Sequence, residues 1–182
     1  MRIIQRHEIA GPLKGASLTA DLSKWTRSLT DVAVATCEEI GWQAAAKGHT
    51  LKLLPEPRDE YLTADVMAFA DGQGRWRFPI AVMELENSPK DDRIAYSLWK
   101  VLCIRAELRV VFCYREQLDR GSGLVSFLAR EVVGAMSIEE RMAVGGETLV
   151  VIGVRGVAET VPYGFFRWYR LDLNLSKFEM MM

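Results

Sequence analysis

The chain has 182 residues, 49% of them apolar and 26% charged, with a formal net charge of −1 at pH 7. That length accommodates one well-buried core, and the composition excludes the disordered and fibrous classes. A net charge so close to zero supplies no overall attraction for nucleic acid, so any phosphate binding falls to a local basic patch.

Leu18, Leu22, Trp25, Leu29, Val32, Thr36 and Ile40 recur at steps of three and four, which predicts an amphipathic helix running to about Gly48. Leu51 to Leu54 reads as a short strand that ends at Pro55-Glu56-Pro57, where two prolines forbid a central ladder. Tyr61 to Ala70 and Phe78 to Glu86 are two β-rich runs joined by a connector containing Gly72 and Gly74, the pattern of a hairpin. Ser88-Pro89-Lys90-Asp91 then opens a second helix, with Ser88 as N-cap, that carries Ile94, Leu98, Val101 and Leu102 on one face. Leu108 to Tyr114 is a Val-rich buried strand, and with the preceding helix it completes a β-α-β crossover. A helix over about Ser122 to Arg141, a strand from Thr148 to Val154 and an aromatic strand from Tyr163 to Leu173 follow. The core is expected to hold Trp25, Leu29, Val32, Val66, Ala68, Val82, Leu98, Leu102, Val110 and Phe112.

Asp65 is the one ionisable residue in the run from Ala64 to Ala70, and a lone charge in a buried-looking strand needs a reason. On the partner strand Glu84 and Glu86 share a face, because side chains alternate with period two. If the hairpin closes with Asp71 opposite Phe78, Asp65 lies across from Glu84 with Cβ atoms about 4.5–5.5 Å apart. Like charges at that spacing destabilise a sheet unless a proton or a cation intervenes, and Mg²⁺ or Mn²⁺ would satisfy carboxylate oxygens.

This α/β order of helix, strand, strand with Asp, strand with Glu-x-Glu, helix, strand resembles the αβββαβ core of the PD-(D/E)xK, or restriction-endonuclease-like, nucleases over roughly residues 18 to 114. The expected architecture is one domain over residues 1–182, with a central mixed sheet flanked by helices and a C-terminal helix and strands added to the core. The resemblance implies Mg²⁺- or Mn²⁺-dependent hydrolysis of phosphodiester bonds in nucleic acid, DNA before RNA, with Asp65 and Glu84 as metal ligands. The chain departs from the family where it reads Glu86 in place of the lysine and Ala64 in place of the proline before Asp65. Some restriction enzymes carry Glu in place of that lysine, which would place Glu86 among the metal and catalytic residues. In others the lysine has moved to the following helix, and Lys100 sits there on one face with Arg93 and Tyr96. The family often adds a Glu from the first helix, and Glu39 is the candidate for that fourth ligand. The alternative is an inactive nuclease-fold protein serving as a binding or assembly module, a homodimer through the aromatic C-terminal strand.

The weaker signals have bland readings. Arg120-Gly121-Ser122-Gly123 lacks the Lys-Ser/Thr of a P-loop and reads as a loop with an N-cap. Tyr163 to Arg170 interleaves aromatics and arginines, and packing on the core or on a second subunit is the favoured reading over base stacking. His7 and His49 lack a partner at metal-ligand or triad spacing. Cys37, Cys103 and Cys113 are odd in number, without C-x-x-C spacing, and read as reduced, buried thiols. They fit a cytoplasmic setting, as does the lack of any apolar run of about 18 residues that could span a bilayer.

Overall fold

The computed structural model describes residues 4, 6–117 and 119–181, without the side chains of His7, Asp119 and Arg120. The helical pattern expected to run to Gly48 divides into α1 (His7–Leu18) and α2 (Leu22–Glu39), separated by a turn in which Asp21 caps α2 by accepting from the Lys24 N–H at 3.0 Å. The end of α2 is set by Gly41, whose φ of 81° lets the Trp42 N–H reach back to Cys37 O at 2.9 Å while Gly41 N–H bonds Glu38 O at 3.0 Å. That pair of bonds is a Schellman closure, and the chain emerges extended into β1 (Gln43–Ala46). The expected strand over Leu51 to Leu54 does not form; a single bridge from Leu51 to Arg58 is all that pairs there. The Tyr61 hydroxyl closes this Pro-containing loop, donating to Glu56 O at 2.8 Å and accepting from the Arg58 N–H at 3.2 Å.

The hairpin follows as β2 (Val66–Phe69) and β3 (Ala81–Leu85), and then comes α3 (Asp91–Leu102). The N-cap of α3 is Lys90, two residues later than expected; Ser88 instead accepts from the Lys90 N–H at 3.2 Å and shapes the approach. Beyond β4 (Leu108–Arg115), the long helix expected to Arg141 is divided into α4 (Asp119–Leu128), a π-helical turn at Ala129–Val133 and α5 (Ile138–Val144). The stretch around Arg120 to Gly123 therefore lies inside α4, with the Arg120 side chain outside the described residues. β5 (Glu147–Val154), a 3₁₀ segment at Arg155–Thr160, β6 (Phe166–Asp172) and β7 (Lys177–Met180) complete the fold.

All seven strands form one sheet in the order β1 to β7. β1, β2 and β3 are mutually antiparallel, β3, β4 and β5 run parallel, and β6 and β7 return antiparallel. Helices cover both faces. Leu13, Trp25, Leu29 and Cys37 of α1 and α2 pack on Val66, Met83, Val110 and Val151. Ile94, Leu98, Leu124 and Leu128 of α3 and α4 pack on the opposite side against Met67, Val82, Val111 and Ile152. Of the ten expected core residues, all are buried except Leu102 and Phe112, which are half-buried against the same clusters. β6 is an inner strand, with Tyr169 and Leu171 buried and Phe166 and Trp168 packed on the core, and β7 covers its outer edge. Within the aromatic strand, Tyr169 to Asp172 are paired with β7. Cys37 and Cys113 are buried and their thiols pushed up to about 11 and about 12 by burial, whereas Cys103 is exposed, against expectation. No helix among the described residues is long and apolar enough to cross a membrane.

Arg109 of β4 is 1% exposed, and among the described residues no carboxylate pairs with it. Its guanidinium is instead spread over four carbonyl oxygens, Val101 and Ile104 at the end of α3 (both 3.1 Å) and Val144 and Gly145 at the end of α5 (2.9 and 2.8 Å). It thus satisfies orphan carbonyls at two helix ends with one planar fork. Replacing Arg109 with Met removes the donor from four carbonyls and empties a buried position, and urea denaturation should show a loss of about 3 kcal/mol or more. A loss under about 1 kcal/mol would mean that water replaces the guanidinium.

Candidate functional site

The β2–β3 ladder pairs Val66 with Met83, Met67 with Val82 and Ala68 with Ala81. One further step of that register sets Asp65 against Glu84, as the hairpin arithmetic requires. Asp65 stands at the bend just before β2 and accepts a hydrogen bond from the Leu85 N–H through Oδ2 at 2.7 Å. Glu84 is 5% exposed and points to the α3 side of the sheet with Val82. There it meets Lys100, whose Nζ lies 2.7 Å from Glu84 Oε2 and donates to Thr63 O at 2.9 Å. Three residues distant in sequence, Asp65, Glu84 and Lys100, thus converge at the junction of β2, β3 and α3.

The local backbone is strained at this point. Leu62 and Thr63 both occupy the left-handed region, with φ of 53° and 57°, an outlier for a β-branched residue and of the kind that clusters at functional sites. The strained turn places the Thr63 carbonyl against the Lys100 ammonium. Glu84 is pushed up to about 7, first by burial, with Lys100 opposing the shift and the Asp65 charge adding to it. Asp65 is also raised, by burial first, while the Leu85 N–H and Lys100 pull it down and the Glu86 charge pushes it up. Glu84 Oε1 is buried with no hydrogen-bond partner. With both carboxylates ionised against one ammonium, the cluster carries a surplus negative charge and an orphaned oxygen, a donor set that suits a hard cation.

Two expected members have partners of their own. Glu86 shares the face of Glu84, and its charge is felt at Asp65, but its Oε1 accepts from the Ser88 N–H at 2.7 Å and so holds the turn into α3. Glu39 does not join the site. It lies at the C-terminal end of α2, which covers the opposite face of the sheet, and pairs with Arg6 at 2.9 Å. Thr26, near the other end of α2, touches Asn87; at 1.5 Å per residue, Glu39 is about 20 Å farther along the helix. Among the described residues, no group of three or more His, Cys, Asp or Glu side chains is placed to hold a metal ion. The two carboxylates that converge with Lys100 are Asp65 and Glu84. Mg²⁺ commonly binds through one or two protein carboxylates, retains waters and takes the rest of its shell from phosphate.

Sequence reasoning missed the Thr63 carbonyl, for which no side-chain pattern exists, and the Arg115–Asp91 pair beside Glu86, where Arg115 is 9% exposed. It also left His49 alone, whereas His49 Nε2 lies 3.0 Å from Asp31 at the surface. Comparison with known proteins returns no match, whether of family models, curated sequences or solved structures.

A raised carboxyl favours its protonated form in the fold. Stability from Glu84 is therefore full below about 4.5 and is lost as pH rises through about 7, above which the buried charge is fully formed. Without divalent metal, the wild type should lose up to about 3 kcal/mol relative to Glu84→Gln across that window, at 1.36 kcal/mol per unit. Parallel stability curves for the two proteins would show that Glu84 is ionised throughout.

Proposed function

We propose that the chain is a Mg²⁺- or Mn²⁺-dependent nuclease of the restriction-endonuclease-like kind, hydrolysing phosphodiester bonds of nucleic acid, with DNA the expected substrate. The observation that carries this reading is the arrival of Lys100, from the helix after β3, on Glu84 and beside Asp65. That is where a lysine displaced from the strand has to arrive to serve the same pair of acids. The order of helix, three antiparallel strands, helix and parallel strand supports it as well.

In this reading Asp65 and Glu84 hold the ion. When bound, the ion supplies Lewis-acid polarisation of the phosphate and makes water a better nucleophile at neutral pH. The residues do the positioning. The Leu85 N–H fixes Asp65 Oδ2, which leaves its other oxygen for the cation. Lys100 favours the ionised form of Glu84 against the effect of burial, and two of its three N–H donors are engaged by Glu84 and Thr63. The remaining one can donate to a phosphate oxygen or to the attacking water. Glu86 orients the β3–α3 turn through Ser88.

A second reading keeps the fold without the chemistry, as a binding or assembly module, and it is favoured by the ion pair itself, since Lys100 already neutralises Glu84 at 2.7 Å. Calorimetric titration with Mn²⁺ and cleavage of single- and double-stranded DNA and RNA separate the two. For the nuclease, wild type binds Mn²⁺ and Asp65→Ala does not. Lys100→Met should lower the cleavage rate by about 10²–10³, as loss of one preorganised charged group does, and Glu86→Gln should stay within about tenfold of wild type. Equal Mn²⁺ behaviour of wild type and Asp65→Ala, with no cleavage under any condition, would leave the binding module.

A further inference from the structure

On the face of the molecule where α3 meets the π-helical turn lies an open groove of about 430 Å³. Tyr96 and Trp99 form one wall, their rings stacked at 5.9 Å and 28°, and each is more than half exposed. Phe127 forms the other wall, and Asp92 and Glu131 stand at the rim. Glu131 is partly neutralised by Arg130 at 2.7 Å, whereas among the described residues neither a hydrogen bond nor an ion pair engages the Asp92 side chain. A π-turn is an uncommon element that frequently marks functional positions, and here it supplies Glu131 and Val132 to the groove. Two stacked aromatics beside a carboxylate attract a guanidinium or ammonium carried on an apolar segment. The same acids repel phosphate, which separates this surface from the nucleic-acid chemistry proposed above.

The chain itself carries a segment of that complementary kind. In the β2–β3 connector, Arg75, Trp76 and Phe78 are exposed, the two aromatics by 64% and 76%. Arg77 is tied down on the carbonyls of Ala70, Gly72 and Gly74 and takes Asp71 as its ion-pair partner, and among the described residues no ion pair engages Arg75. Phe78 rests under the Arg105 guanidinium at 6.0 Å, past the end of α3. The connector so held does not cover the groove of its own chain, where Tyr96 and Trp99 remain open. We propose that the Arg75-Trp76-Phe78 connector of one copy docks into the Tyr96–Trp99 groove of a second copy of this chain, with Arg75 against Asp92. Trp, Tyr and Arg are the residues that dominate such contacts, and a formal charge of −1 per copy offers little long-range repulsion.

Sedimentation equilibrium on the full chain tests the contact. The wild type should show a mass above 20.5 kDa that grows with protein concentration, and added salt should reduce it. Arg75→Glu and Trp99→Ala, both at exposed positions, should each weaken association by about tenfold or more. Because Arg75→Glu keeps the groove and Trp99→Ala keeps the connector, a mixture of the two should associate as a one-to-one pair. Asp92→Arg serves as a second groove variant, and circular dichroism verifies that each variant is folded. A wild type that stays at 20.5 kDa at every concentration, folded variants that associate as the wild type does, or a mixture that stays monomeric each overturns the proposal.

Discussion

The three parallel strands at the centre of the sheet are covered by helices on both faces, so a polar side chain leaving them must find its partner inside the protein. The α1–α2 side avoids the problem with an almost wholly apolar surface. On the α3–α5 side, Glu84, Arg109, Arg115 and Thr148 are all buried, and their needs dictate where the covering helices sit. Arg109 reaches the carbonyl ends of α3 and α5, Arg115 reaches Asp91 at the start of α3, and Glu84 reaches Lys100 near its end. The helix α3 is thereby fixed to the sheet at both ends by charge as well as along its length by Ile94 and Leu98. Thr148 Oγ1 is the member of this set left without a partner.

The candidate site is an outcome of the same constraint. An ionised carboxylate away from water is costly unless it is paired, and Glu84 carries that cost with one oxygen paired and one not. A residue serving stability alone would be replaced by an apolar one at little loss, since buried ion pairs seldom stabilise relative to well-packed hydrophobic groups. The strained Leu62–Thr63 turn adds to the cost instead of relieving it. Two carboxylates away from water beside a strained turn are the physical ground for regarding the region as a candidate site.

The hairpin was legible in the sequence because its register follows from the alternation of apolar residues and from the span of the turn, and both are local. Asp65 opposite Glu84 follows from that register alone. Lys100 was legible as a position on a helix face, though only the packing angle of α3 brings it to Glu84. Glu39 was misread because the phase of a helix tells which side is buried but not which face of the sheet it covers. β1 was hidden by Ala44, Ala45 and Ala46, strong helix formers that tertiary pairing with β2 holds extended. The stop signal that could have revealed it, Gly41 in a helix-closing position, was present five residues before the end of β1. The edge strand β7 carries Lys177 and Glu179 alternating with Phe178 and Met180, a pattern too short to separate from a loop.

Strand order in this sheet is identical to strand order in the chain. No strand has to be inserted between two that are already paired, so each can be added to the growing edge as it leaves the ribosome, with only short loops or single crossovers to close. The exception is α1, which lies against the 3₁₀ segment after β5, with Lys14 donating to Glu159 O at 2.8 Å across 145 positions. A helix made before every strand of the sheet is therefore among the last elements to find its place. Until synthesis passes Glu159 its main support is α2, and the docking of α1 acts as a latch that reports the arrival of the 3₁₀ segment.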